Sequence, residues 1–296
     1  MSVASPTRVM LERRDPDGGS APESRARQET ALAHGEFIGR VRRRVDLAQA
    51  TCVELEDHAR APMPEHTHAE AYVCVCLRGT YRSGAAGWRE SRDTGVLFHP
   101  AGTRHRDHFL SPGRCLNVSL RSAWLDESFE SRLPELPSAT YAPTCIGNAL
   151  RTWREVAASG VPEAHAIEEG LVLVLSEFAP RVRSRQRTAP PWIASAKRAI
   201  TDDFEGTVRI GALAARLGVH PVVLARGFQR HAGCSPLEYL RSVRVRRATR
   251  LLADEAFPLA EIAARSGFAD QAQFTRAFAR VTGWTPGAMR RVLRGP

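Results

Sequence analysis

The sequence predicts an α+β chain of more than one domain: a β-rich first part closed by a helical segment, then an all-α last third. Three observations carry this. Short alternating apolar runs broken by Gly and Pro fill residues 35–125, the pattern of a small β-barrel or sandwich. The apolar period changes from two to helical at about residue 143. Beyond residue 192 the chain reads as helical throughout and repeats itself. The 296 residues suffice for two domains, each with its own core. With 43% apolar and 25% charged residues the composition is that of a globular protein.

Residues 1–30 are rich in Arg, Asp, Gly, Pro and Ser without an apolar period, so a disordered lead-in is expected. Residues 31–180 then form the first domain. Its strands are read from VCVCL, GVLFHPAG and CLNVSL. Alternation along residues 66–77 puts His66, His68, Glu70, Tyr72, Cys74 and Cys76 on one face, and Thr67, Ala69, Ala71, Val73, Val75 and Leu77 on the other. The apolar face suits packing against helices, and the face of His, Tyr and Cys suits a polar, polarizable pocket. Two helical stripes follow: Ile146, Leu150 and Trp153, then Ile167, Leu171, Val174, Leu175 and Phe178. Stripes this wide must pack on the β-domain or on a second copy of the chain. RVRSRQRTAPP, residues 181–191, reads as a linker.

The last domain, 192–296, holds the repeat. Ala214, Ala215, Arg216 and Gly218 match Ala263, Ala264, Arg265 and Gly267 at an offset of 49. After one inserted residue, Arg226, Phe228, Arg230, Gly233 and Pro236 match Arg276, Phe278, Arg280, Gly283 and Pro286 at an offset of 50. Each copy, at 210–233 and 259–283, reads as helix, glycine turn, helix: a helix-turn-helix, whose second helix fits a DNA major groove. Between them Ser235, Pro236 and Glu238 open one longer helix carrying Arg241, Arg244, Arg246, Arg247 and Arg250. From Arg181 onward there are 21 Lys and Arg against 8 Asp and Glu, whereas residues 1–180 hold 21 against 24. A basic domain beside a slightly acidic one points to a polyanion partner.

AEIAARSGFADQAQFTRAFARVTGWTP resembles the second helix-turn-helix signature of the AraC/XylS family of bacterial transcription regulators, and the resemblance covers about residues 192–294. It implies that double-stranded promoter DNA is the partner, with RNA polymerase close by, and that the protein activates transcription. The base-reading residues it points to are Val222, Ala225, Arg226 and Gln229 in the first head, and Gln271, Ala272, Gln273, Thr275 and Arg276 in the second. Arg bridges guanine and Gln bridges adenine, while Val and Ala touch only thymine methyls. Arg244 and Arg247 are expected on phosphates, because one helix cannot bury so many guanidiniums.

PEHTHAEAYVCVCLRGTY and TGVLFHPAGTRHRDH resemble the two cupin motifs. His66 and His68 fit the first histidine pair, and Pro100, Gly102 and His105 the second motif. The resemblance implies a cupin-like barrel. Tyr72 stands where a metal cupin has its carboxylate, and the spacing from Gly95 to the proline is one residue short. The expectation is therefore a pocket without metal or other cofactor, in which His66, His68, Tyr72, Cys74, Cys76 and His105 meet a small-molecule effector. No catalytic residues are expected. Two alternatives stand beside this one: a metal-dependent cupin enzyme with a DNA-binding tail, and a thiol sensor using Cys74 and Cys76.

Six irregularly spaced cysteines suit a reducing cytoplasm. The first residues lack an apolar signal core, and the longest apolar run, Leu171–Leu175, is far too short for a membrane span. A homodimer paired through the helices near 145–180 is expected.

Overall fold

The computed structural model describes residues 8–10, 30–57, 62–84, 89–91, 95–129, 140–141, 145–158, 160–178, 189–206, 208–253 and 257–294. Of the expected disordered lead-in, residues 8–10 and 30 are described, and Arg8–Met10 form a strand paired with Arg44–Asp46, contrary to that expectation; the rest of the lead-in and nearly all of the expected linker lie outside the described residues. The amino-terminal part is β-rich and the carboxy-terminal part helical, as the change of period predicts.

The main sheet contains β1 (Arg8–Met10), β3 (Arg40–Asp46), β4 (Ala50–Asp57), β6 (Ala71–Arg78), β9 (Gly95–His99), β11 (Gly113–Leu120) and β12 (Thr140–Tyr141), in the order β1-β3-β4-β11-β6-β9-β12. Its pairings are antiparallel. A three-stranded sheet of β7 (Tyr81–Gly84), β8 (Arg89–Ser91) and β10 (Arg106–Phe109) stands beside it. A short parallel pair, β2 (Thr30–Leu32) and β5 (His66–His68), completes the layer, with β5 bridged to His105.

Alternation divides the main sheet into two faces. Ala71, Val73, Val75, Leu77, Val96, Phe98, Leu116 and Val118 join one apolar core with the helices. Tyr72, Cys74, Cys76, Leu97, Val53, Leu55 and Cys115 form a second, smaller core with Phe109 on the opposite face. Helix α1 (Ser122–Phe129) follows the sheet, and α2 (Ile146–Ala157) and α3 (Ala164–Ser176) cover its first face. The α2 stripe is wholly consumed there: Ile146, Leu150 and Trp153 are fully buried within the chain. It is therefore not free to pair with a second copy. On α3, Val172 and Leu173 face solvent.

The helical part runs α4 (Pro191–Asp202), α5 (Ile210–Arg216), α6 (Pro221–Ala232), α7 (Pro236–Leu252), α8 (Leu259–Arg265), α9 (Gln271–Thr282) and α10 (Pro286–Arg294). Its 17-residue helix α7 is about 25 Å long at 1.5 Å per residue. This helix belongs to two cores. Tyr239, Leu240 and Val243 pack with α4, α5 and α6. Val245, Ala248, Leu251 and Leu252 pack with α8, α9 and α10.

The second of these cores continues into the amino-terminal domain. Trp153 and Trp284 stack with ring centroids 5.1 Å apart, and the Trp284 indole donates to the Leu150 carbonyl at 2.8 Å. Arg151 donates to the carbonyls of Val281, at 3.0 Å, and Arg280, while Arg154 donates to that of Gly283 at 2.9 Å. Cations at the carbonyl end of a helix complement its dipole. Arg114, from β11, pairs with Glu54 inside the protein and donates to the Val292 carbonyl. Gly147 is needed where α2 meets α9, since a Cβ there would lie 2.8 Å from a Val281 methyl and 2.9 Å from its carbonyl. Among the described residues no helix is long and apolar enough to cross a membrane.

Candidate nucleic-acid interface and buried cavity

Helices α5 and α6 are joined through Gly218, at φ +67°, and α8 and α9 through Gly267, at φ +78°. In the left-handed region a side chain costs energy, so glycine is the residue of choice. The His220 ring accepts from the Val222 amide and Pro221 occupies the first turn, which starts α6. Asp270 accepts from the Gln273 amide at 2.6 Å, and the Gln273 side chain accepts in return from the Ala269 amide at 2.8 Å, which starts α9. Gly233 and Gly283, at φ +72° and +74°, end the two helices.

Leu224 and Phe228 anchor α6, and Phe274 and Phe278 anchor α9, all at 0% exposure. The opposite faces are free. Val222, Ala225, Arg226 and Gln229 are exposed on α6, as are Gln271, Ala272, Gln273 and Arg276 on α9. Val222 and Val223 are nearly half exposed, which a first helical turn does not do for packing. Thr275 is half-buried and its hydroxyl donates to the Gln271 carbonyl. Gln273 has its carbonyl oxygen committed to the helix cap, leaving its amide donors.

Arg244 is used otherwise than the sequence suggests. Its guanidinium donates to the carbonyls of Phe204 and Gly206, both at 2.9 Å, and lies 6.0 Å from the centre of the Phe268 ring. Burial lowers its pKa. It ties the loop before α5 to the turn between α8 and α9, so it is a link between the two helix pairs and not a free phosphate ligand. The premise that α7 cannot bury its guanidiniums also fails: Arg246 is only 7% exposed. Arg247 is half-buried, and its Nε has no hydrogen-bond partner. Arg265 pairs with Glu261 at 2.7 Å, one turn away.

The second candidate site lies on the cavity face of the main sheet. His66, His68 and His105 bring one ring nitrogen each to within 4.8 Å of one another, and all three are buried. Backbone carbonyls fix their rings. His66 Nδ1 donates to Pro64 at 2.8 Å, His105 Nδ1 to Thr103 at 2.9 Å, and a His68 ring N–H to Glu36. A carbonyl only accepts, so Nδ1 carries the proton in both His66 and His105, and the lone pair of a neutral ring is then at Nε2. Burial lowers the His66 pKa, and, with the charges of His105 and His66, brings that of His68 to about 3. The Tyr72 hydroxyl donates to His105 Nε2 at 2.9 Å.

The cavity beside these rings measures about 20 Å³ and is lined by His66, His68, Tyr72, Cys74, Asp107 and Cys115 among others. That is space for about one water molecule. Cys76 is buried on the same face but outside the lining, its thiol donating to the Arg78 and Gly79 carbonyls. Cys74 is held as a thiol: its hydrogen bond with Cys115 and its burial push the pKa well up. Two residues not singled out from the sequence belong here. His99 is fully buried, lies parallel to Tyr72 at 4.4 Å, and has no partner on either ring nitrogen. Asp107 lines the cavity with one carboxylate oxygen unpartnered and the other 3.6 Å from His105 Nε2. Asp107 follows His105 at the i+2 spacing of one strand face, the signal that could have found it. Three imidazole nitrogens so placed are a donor set that suits late transition metals.

Residues 213–292 match the family described as a helix-turn-helix domain. Over 80 residues the chain is 41% identical to the HTH-type transcriptional regulator GlxA of Rhizobium meliloti, covering 27% of this chain and 25% of that protein. Over 103 residues it is 34% identical to an AraC-like transcription regulator of Streptomyces antibioticus, covering 35% and 34%. The carboxy-terminal domain is an AraC-type helix-turn-helix domain. The HTH-type transcriptional activator RhaS of Escherichia fergusonii is 33% identical over 91 residues, covering 31% of this chain and 33% of RhaS. The chain thus spans a quarter to a third of the length of these curated relatives. Among solved structures, the C-terminal domain of AraT, a response regulator from Geobacillus stearothermophilus, is 30% identical, covers 35% of this chain and 87% of that one, and has a TM-score of 0.34. ToxT from Vibrio cholerae is 13% identical, covers 84% and 100%, and has a TM-score of 0.36. Superpositions this loose carry no detail across.

Proposed function

We propose that the chain is a sequence-specific transcription regulator whose AraC-type domain reads promoter DNA with two heads, α5–α6 and α8–α9, and whose cupin-like amino-terminal domain is the effector sensor. The observation that carries this is the pair Arg226 and Arg276. They occupy matched places on α6 and α9, both are exposed, and neither has a hydrogen-bond or ion-pair partner among the described residues. Guanidiniums presented free on a helix face suit guanine edges and phosphates. Val222 and Ala225 offer only apolar contact, so the second head, with Gln271, Gln273 and Arg276, does most of the discrimination. Gln229, Ala272 and Thr275 complete the two faces, and Arg247 meets phosphate.

The sensor governs the second head through α2, because Arg151, Arg154 and Trp284 join the two. Differential affinity of an effector for two arrangements of that joint is all the coupling requires. Activation through RNA polymerase, a cytoplasmic location, and dimerisation through the exposed Val172 and Leu173 of α3 belong to the same reading. The matched relatives are regulators, which supports a non-enzymatic role. The raised Cys74 pKa speaks against a thiolate sensor.

The test is a footprint and gel-shift series on fragments upstream of the neighbouring genes against random competitor DNA. The expected result is a protected site spanning two successive major grooves on one face of the duplex. Equal affinity for every fragment sinks the proposal.

A further inference from the structure

The two reading helices differ where they begin. At the offset of 50, Pro221, Val222, Val223 and Ala225 of α6 stand where α9 has Gln271, Ala272, Gln273 and Thr275. The start of α6 thus carries no hydrogen-bonding side chain, yet all four of these residues are exposed. We propose that the first head reads the 5-methyl group of a pyrimidine and not the identity of a base. It takes thymine and 5-methylcytosine alike, it disfavours uracil and unmodified cytosine, and methylation of the DNA therefore regulates it. The inference rests on the reading of α5–α6 as a DNA head and adds what that head recognises.

The valines carry the argument. Val222 and Val223 are 48% and 47% exposed, and neither joins an apolar core among the described residues. Leu224 and Phe228 do the anchoring instead. Valine is a poorer helix former than alanine, so neither packing nor propensity accounts for two in succession at this place. A β-branched side chain in a helix keeps essentially one rotamer, so its methyls are in position before contact and lose little freedom on making it. The Val222 amide is spent on the cap, donating to the His220 ring at 3.3 Å. Arg226 and Arg230 are exposed on the same helix. Their charge marks a polyanion, not an apolar protein face, as what covers the valines.

Groove chemistry supplies the target. A recognition helix enters the major groove with its first residues nearest the base edges. There each purine shows two polar atoms, cytosine an amino group, and thymine a carbonyl and a methyl. Valines laid on a polar edge strip its water and return no hydrogen bond, which penalises that base. Laid on a methyl, they bury apolar surface on both sides. The methyl of 5-methylcytosine sits on the same ring carbon as that of thymine. One contacted methyl is worth about fourfold in affinity, the effect of burying one such carbon.

The experiment uses the full chain and two pools of random-sequence duplex, one made with thymidine and one with deoxyuridine in its place, each sequenced after rounds of capture. A two-part site is expected from the thymidine pool. From the deoxyuridine pool the part read by α9 is expected to persist and the part read by α6 to lose its preference. On the selected duplex, deoxyuridine for thymidine at a contacted position of the α6 part is expected to weaken binding about fourfold, and 5-methylcytosine for cytosine there to strengthen it about as much. Val222→Ala combined with Val223→Ala changes exposed positions to the better helix former. The double variant is expected to fold, as thermal melting reports, and to erase both differences in the α6 part alone. The same two-part site from both pools overturns the proposal, as does a methyl effect undiminished in the folded double variant. A double variant that alters the oligomeric state in light scattering and keeps the methyl effect shows the valines covering a second copy of the chain, and also overturns it. No site from either pool overturns the regulator reading together with this inference, whereas equal sites from both leave that reading standing.

Discussion

At the scale of single residues, Arg244, Arg247 and Arg276 look alike in the sequence and separate in the structure. Arg276 is exposed and free, Arg247 half-buried, and Arg244 spent on two carbonyls. Arg276→Ala is expected to relax one base position by about 1–3 kcal/mol, read as a flattened penalty across single-base variants of the site. Arg247→Ala is expected to weaken all sequences alike and reduce the slope of log affinity against log salt by about one. Arg244→Ala is expected to leave that slope unchanged and lower the melting temperature, because it leaves the Phe204 and Gly206 carbonyls without their donor. A salt slope lowered equally by Arg244→Ala and Arg247→Ala would refute the distinction. The sequence showed that α7 is rich in Arg but not which Arg is consumed, since that depends on the loop at 204–206, forty residues away. The faces of β6 were legible because strand alternation leaves a mark of period two. His99 was not, because a single His in GVLFHPAG acquires meaning only when β9 lies beside β6 and stacks it on Tyr72.

At the scale of elements, α7 shows how local signals start a helix. The Ser235 hydroxyl accepts from the Glu238 amide at 3.2 Å, and the Glu238 carboxylate accepts from the Ser235 amide at 2.7 Å. Ser235→Ala is expected to cost about 0.5–2 kcal/mol, measured by denaturant unfolding. Hydrogen bonds to the carboxylate from the Ser235 amide and hydroxyl hold the Glu238 carboxyl below its ordinary pKa. A depressed folded pKa gives stability that is complete above the unfolded value and lost as pH falls through the folded one. Stability of the α7 start is therefore expected to fall on acidification below the usual carboxylate range. Glu238→Gln keeps the hydrogen bond and loses that dependence, which melting curves from neutral pH into acid will show. The capping box, the glycine turns and the repeat were all readable because each is a contact within a few residues. The docking of α2 onto α9 was not, since the apolar stripe at Ile146, Leu150 and Trp153 says that it packs but not on what.

At the scale of the whole molecule, the cores do not follow the two domains. Of the two larger cores, one contains a face of the sheet, α2, α3 and the second head; the other contains α4, α5, α6 and the first half of α7. Unfolding is accordingly expected in two steps, with residues 191–232 opening as a unit before the rest. Hydrogen exchange resolved by segment will check this; equal protection of α6 and α9 would contradict it. Arg151→Ala combined with Arg154→Ala removes three carbonyl partners at the end of α9 without altering either core. Faster exchange is expected at 279–284 and not in α6. The division between a β-part and a helical part was legible from periodicity alone, whereas the partition of cores crosses it and needed coordinates.

Neighbours on an extended strand look opposite ways, and β11 does so at an instructive place. Cys115 borders the histidine cavity, while Arg114 reaches through the other side of the sheet to Glu54 and the carbonyl of Val292. A displacement of Cys115 is expected to move that guanidinium as well, and with it the tail of the last helix.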